Sequence, residues 1–190
     1  IHSQRWSYAC AKQLLERMIY AYSFEKDLAF SIVRPFNFIG SKMDFIPGID
    51  GEGIPRVLAC FMEALMFKKP LKIVDKGTSR RCFTYIDDAV DAVMAMLSNP
   101  ERAKNQAFNI GHPGNEVSIH ELADKMISLY QALPDSDKSN SPSIDYVSSE
   151  DFYGRGYEDS DRRVPDISKA TNLLGWTPRF ALDEALKRAM

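Results

Sequence analysis

Tyr8 and Lys12 stand four residues apart in a run free of Gly and Pro, and so do Tyr22 and Lys26. Residues at that spacing share a helix face. An ammonium beside a phenol favours the phenolate, and a phenolate is suited to taking the proton of an alcohol. Spacing alone does not select a pair. With 8 tyrosines and 12 lysines, about half a match is expected by chance. A surface Tyr and Lys on an amphipathic helix satisfy the pattern equally well. The histidines carry less. His2 is terminal, His112 sits in a His-Pro-Gly turn and His120 lies in a helix-start box, without the company a metal site needs. No metal is expected. Asp87-Asp88 reads as a helix cap rather than a catalytic pair.

The elements that would position such residues are legible in outline. Residues 5–24 read as a helix, with Leu14, Leu15, Met18, Ile19 and Tyr22 at helical spacing. Residues 28–34 form a β-rich run stopped by Pro35. Residues 39–56 read as loop, either a lid over a substrate or disorder, because Gly40, Pro47, Gly48, Gly51, Gly53 and Pro55 fall within it. A helix follows at 56–67, then strands at 71–74 and 82–86. The next helix starts at Asp87-Asp88, with Val90, Val93, Met94 and Leu97 on one face. Residues 107–110 form a strand. Ser118 and Glu121 make a capping box that opens a helix to about Tyr130. A strand near 144–147 precedes a loop at 148–165. Asp166 is expected to cap a short helix ending at Gly175, and a last helix starts near Leu182. Alternating strands and helices make the class α/β.

Composition narrows the function. The 190 residues are 45% hydrophobic and 26% charged, with net charge −2, an ordinary globular balance. No basic field points to nucleic acid. No apolar stretch approaches the ~20 residues of a membrane span. Three dispersed cysteines, Cys10, Cys60 and Cys82, argue against a disulfide framework and fit a reducing, cytoplasmic setting.

Five ordered segments carry a resemblance. They are Arg5-Trp6-Ser7-Tyr8-x-x-x-Lys12, Val33-Arg34-Pro35-Phe36-Asn37, Lys72-Ile73-Val74 with Arg81-Cys82-Phe83-Thr84-Tyr85-Ile86-x-Asp88, Asn109-Ile110-Gly111, and Leu174-Gly175-Trp176-Thr177-Pro178. Together they resemble the extended short-chain dehydrogenase/reductases that act on nucleotide sugars, the NAD-dependent epimerase/dehydratase family. The stretch from Tyr153 to Pro165 resembles a loop of the UDP-glucuronate decarboxylases of polymyxin resistance and of the plant UDP-apiose/UDP-xylose synthases. Residues 45–61 are similar to the plant type.

The resemblance implies an NAD-dependent oxidation at C4 of UDP-glucuronate. A β-keto acid results, which loses carbon dioxide and leads to a UDP-4-keto-pentose, UDP-xylose or UDP-apiose. It implies Tyr8, Lys12 and Arg163 as catalytic, with Tyr8, Lys12 and Pro35 against the cofactor. Arg5, Asn37, Lys72, Arg81 and Tyr157 are implied to line the UDP-sugar site. Guanidinium forks suit a pyrophosphate and a carboxylate, although solvated charges and a turn residue explain the same positions. A homodimer built on the Tyr8 helix is implied, while Leu14, Leu15 and Met18 could equally face the chain's own core.

The resemblance also implies a Rossmann-type fold with a smaller α/β substrate domain. Residues 1–38 would be the edge of the dinucleotide-binding fold. Residues 39–190 would be mainly the UDP-sugar part, with segments returning to the Rossmann fold. The G-x-G-x-x-G turn that cradles a dinucleotide does not occur in the sequence. The chain is therefore expected to be the carboxyl-terminal part of such an enzyme, inactive by itself. Two other readings stay open: a nucleotide-sugar 4-epimerase or 4,6-dehydratase, and a non-catalytic nucleotide-sugar binding module.

Overall fold

The computed structural model describes residues 5–46, 49, 51–134, 142–155 and 160–190. Helix α1 (Arg5–Lys26) leads to strand β1 (Ser31–Pro35) and the short β2 (Phe38–Ile39). Helix α2 (Val57–Met66), strands β3 (Leu71–Val74), β4 (Arg80–Cys82) and β5 (Thr84–Tyr85), and helix α3 (Ile86–Ser98) follow. Next come the one-turn α4 (Pro100–Ala103), β6 (Gln106–Ile110), β7 (Glu116–Ser118) and α5 (Ile119–Ala132). The chain continues through β8 (Ile144–Val147), α6 (Ser149–Tyr153), β9 (Arg162–Arg163), α7 (Ser168–Leu174) and α8 (Leu182–Ala189).

Pairing is mostly parallel: β1 with β6, β2 with β5, β3 with β8, and β4 with β9, while β7 runs antiparallel to β4. Two apolar clusters hold these pairs. One joins α2, β3, α5 and α8 through Phe61, Leu65, Leu71, Ile73, Leu122, Met126 and Leu186. The other joins α3, β6 and α7 through Ala92, Met96, Phe108, Ile110, Ala170 and Trp176. Ile86 touches both.

Several expectations are corrected. The run 82–86 is not one strand. It breaks at Phe83, where the backbone changes partner from β7 and β9 to β2, and Asn37 Nδ2 ties the break by donating to Cys82 O at 2.8 Å. The loop at 148–165 contains α6, whose Ser148 hydroxyl accepts from Asp151 N, and the two-residue β9. Asp87 and Asp88 do not cap α3. Its N-cap is Tyr85, and Asp88 is fully buried and serves a different segment. The N-cap of α7 is Ile167, yet Asp166 still accepts from Ser168 N at 2.9 Å. The capping box of α5 is present in both directions.

The apolar faces of two helices are uncovered. Leu14, Leu15, Met18 and Tyr22 on α1 are exposed, as are Val90, Val93, Met94 and Leu97 on α3. Periodicity identifies such a face but not what lies against it. Leu14, Leu15 and Met18 do not enter a core of this chain. Instead α1 is tied to β1 by Glu16, whose carboxylate receives the Arg34 guanidinium. An edge contact of Tyr20 with Phe30 adds to this, their centroids 4.9 Å apart. No described helix is long and apolar enough to cross a membrane.

Candidate functional site

A cleft of about 640 Å³ opens beside β4. That volume lies in the range of small-ligand sites. Its walls are the end of β2, the segment 42–46, the start of α2, β3 with the turn after it, and β4, α6 and β9. Strand alternation sets what faces in. On β3, Leu71 and Ile73 go to the core while Lys72 lines the cleft. On β4 and β9, Arg81 and Arg163 are register partners, and both line the cleft.

The charge of this cleft differs from that of the chain. Lys42, Arg56, Lys72, Lys76, Arg81 and Arg163 line it, against three carboxylates, Asp44, Asp75 and Asp161. Arg56 is committed to the wall: it pairs with Asp44 Oδ2 at 2.9 Å and donates to Phe38 O and Met43 O. Asp75 accepts from Ser149 N. The aromatic side chains Phe45, Phe152 and Tyr153 add flat apolar surface. An anion with a planar ring matches this lining.

Of the residues singled out in the sequence, Asn37, Lys72, Arg81 and Arg163 meet at this cleft. Asn37 holds a positive φ of 43°, in the left-handed region that Asn tolerates. Arg81 is buried, with Nη1 donating to Arg80 O at 2.7 Å. Tyr8, Lys12 and Pro35 lie outside the lining. Tyr8 is exposed, and the Lys12 ammonium stands 5.4 Å from its ring centroid. Pro35 ends β1 opposite Ile110. Arg5 opens α1, and Tyr157 lies outside the described residues. Lys42, Arg56 and Lys76 were not anticipated. Each is a single cation in an irregular segment, and only Arg56, placed just before a helix after a Gly/Pro-rich loop, carried a local signal.

Burial pushes the Cys60 thiol, on the cleft wall, up to about 11, so it is a neutral wall group at physiological pH. Among the described residues no group of three metal-ligating side chains occurs. His120 bonds the Tyr146 hydroxyl through Nδ1 at 3.0 Å.

Behind the cleft, the Glu116 carboxyl lies below its usual range. The Arg162 hydrogen bond is the main cause, with further help from the Arg162 and Arg80 charges. Glu121 is lowered too, by bonds from Ser118 and then by Arg80. Cys82 is the other titratable neighbour. A carboxyl lowered on folding adds stability that is present above its unfolded value, about 4.5, and that is lost as pH falls through the folded value. Glu116→Gln is therefore expected to flatten the fall in melting temperature between pH 5 and 3. Parallel acid limbs for the variant and the wild type would refute this.

Residues 2–111 match the NAD dependent epimerase/dehydratase family. The chain is 53% identical to UDP-D-apiose/UDP-D-xylose synthase 1 of Arabidopsis thaliana, over all of this chain and 49% of that protein. It is 52% identical to the UDP-D-apiose/UDP-D-xylose synthase of Oryza sativa subsp. japonica, over all of this chain and 48% of that one. The PbgP3 protein of Burkholderia pseudomallei superposes with a TM-score of 0.79 at 34% identity, over 97% of this chain and 51% of the other. The chain spans about half the length of the curated relatives it matches. The ordered motifs, the parallel pairs and the anion-suited cleft thus agree with the family match: the chain belongs to the NAD-dependent epimerase/dehydratase family.

Proposed function

We propose that the encoded protein oxidises and decarboxylates UDP-glucuronate, giving a UDP-4-keto-pentose, UDP-xylose or UDP-apiose. One observation carries the reading: Arg81 and Arg163 are register partners on a cationic cleft that Lys72 also lines, in a chain 53% identical to a UDP-apiose/UDP-xylose synthase. NAD, when bound, supplies the hydride acceptor. The Tyr8–Lys12 pair fits its nicotinamide end, because a phenol and an ammonium lie together on an exposed helix face.

Tyr8 takes the proton of the sugar C4 hydroxyl. Lys12 keeps Tyr8 in the phenolate form that accepts this proton, and with NAD bound its ammonium would also hold the nicotinamide ribose. With NAD bound, Pro35 would lie against it, and Arg5 and Tyr157 are assigned to the sugar site. Lys72 and Arg81 hold the pyrophosphate, and Asn37 orients the nucleotide sugar beside them. Arg163 grips the uronate carboxylate or a water next to it. A free guanidinium is too weak an acid to give up its own proton, so its part is placement. Residues 1–38 act as the edge of the dinucleotide-binding fold and the remainder mainly as the sugar-binding part. The uncovered Leu14, Leu15, Met18 and Tyr22 face of α1 suits a homodimer, and the setting is cytoplasmic.

Proton NMR of UDP-glucuronate with NAD+ and the encoded protein tests the reaction. Loss of the H5 signal with new pentose signals is expected. An unchanged spectrum, with UDP binding confirmed, would overturn it in favour of epimerisation or dehydration of another nucleotide sugar.

A further inference from the structure

Strand β9 is two residues long, yet it carries Arg163 into the cleft. A strand that short cannot hold its own register. On the face of β4 turned away from the cleft, Arg80 and its β9 register partner Arg162 both donate to the carboxylate of Glu116, which reaches across from β7 on the other side of β4. Its Oε1 receives Arg162 Nε at 2.6 Å and its Oε2 receives Arg162 Nη2 at 2.9 Å. Arg80 Nε reaches the same Oε1 at 3.2 Å, and Arg80 Nη1 reaches Glu121 Oε2 at 3.2 Å. The backbone contributes Arg80 N to Asp161 O at 2.7 Å. None of Arg80, Glu116 and Arg162 lines the cleft.

We propose that Glu116 is a positioning residue: by gripping Arg162 with both oxygens it fixes β9 against β4 and so aims Arg163, one residue along, into the sugar site. Neighbouring strand residues face opposite sides, so an anchored Arg162 determines the direction of Arg163. A bidentate guanidinium–carboxylate pair supplies direction as well as attraction. The consequence for turnover rests on the function proposed above; the clamp itself does not.

The test compares Glu116→Gln and Arg162→Gln in the encoded protein. Arg162 is mostly exposed and its substitution leaves the Arg80–Glu116 pair intact, so the second variant is safe for folding. In both, amide exchange over residues 160–165 is expected to rise about tenfold or more. The kcat/KM for UDP-glucuronate is expected to fall by about 10- to 100-fold, the size of a 1 Å misplacement. Affinity for UDP, which lacks the carboxylate, should hold within roughly twofold. In an Arg163→Ala background, adding Glu116→Gln should cost little more, since the two act on one interaction. Unchanged exchange at 160–165 in both variants would overturn the clamp. So would costs of Glu116→Gln and Arg163→Ala that multiply in full. If the wild-type protein leaves UDP-glucuronate untouched, the proposed function fails while the exchange measurement still decides the clamp.

Discussion

Replacing Tyr8 with Phe in the encoded protein is expected to lower the rate of NADH formation about 10²- to 10⁴-fold, the usual worth of a general base. Binding of UDP should be unaffected. The substitution removes one oxygen and keeps the ring, so the Lys12 ammonium retains its aromatic neighbour at the 5.4 Å separation seen here. Tyr8 is exposed in this chain and its side chain fills no part of either core, which makes misfolding a poor explanation for lost activity. Tyr8 also lies outside the cationic cleft. A pure loss of hydride transfer with intact UDP affinity would thus separate the two functions along the chain. Single-turnover absorbance at the NADH band reads the first, and calorimetric titration with UDP reads the second. NADH formation within about threefold of wild type would refute the base assignment, because no other change of that size is in play.

The sequence is legible where structure is local. Strands β3 and β8, the capping box of α5 and the start of α8 are marked by the residue types of a few consecutive positions, although that β3 and β8 pair with each other is not written in either run. The break at Phe83 was not legible, because it arises from a change of partner strand between Cys82 and Thr84. Strand β9 was not legible either. Two arginines in an acidic loop carry no β signal, and their order comes from β4 and Glu116. The same division runs through the site. Asn37, Lys72, Arg81 and Arg163 were picked out by motif and share one cleft. Lys42 and Lys76 sit in segments without period, Arg56 only borders a helical run, and folding brings all three to the cleft. Asp88 is the sharpest case. Two acids at the start of a helical run invite a capping role, yet the buried carboxylate serves backbone some ninety residues away.

That carboxylate gives the largest expected effect on stability. Asp88→Ala is expected to lower unfolding free energy by about 2–6 kcal/mol, from two orphaned amides at ~1–3 kcal/mol each. Asp88 is fully buried. Its Oδ1 accepts from Arg179 N at 2.9 Å and its Oδ2 from Phe180 N at 3.1 Å. Trp176 Nε1 donates to the Asp88 carbonyl at 3.0 Å, a bond the substitution leaves in place. The bonded amides hold the segment in which Trp176 enters one core and Phe180 packs on Tyr85 in the other, ring centroids 4.9 Å apart. Asn115 links the same segment to the β4–β5 break, with Nδ2 donating to Phe180 O and Phe83 O. The Arg179 side chain offers the rival explanation, an ion pair with Asp88. It is 64% exposed, its Nε is 4.0 Å from Asp88 Oδ1, and it also pairs with Asp91. Exposed pairs are worth about 0–1 kcal/mol. Arg179→Ala should therefore cost far less than Asp88→Ala in urea unfolding. Asp88→Asn, which keeps one acceptor oxygen, should fall between them. Equal losses for Asp88→Ala and Arg179→Ala would assign the energy to the charges instead of the amides. A loss below about 1 kcal/mol for Asp88→Ala would mean that water reaches the freed N–H groups.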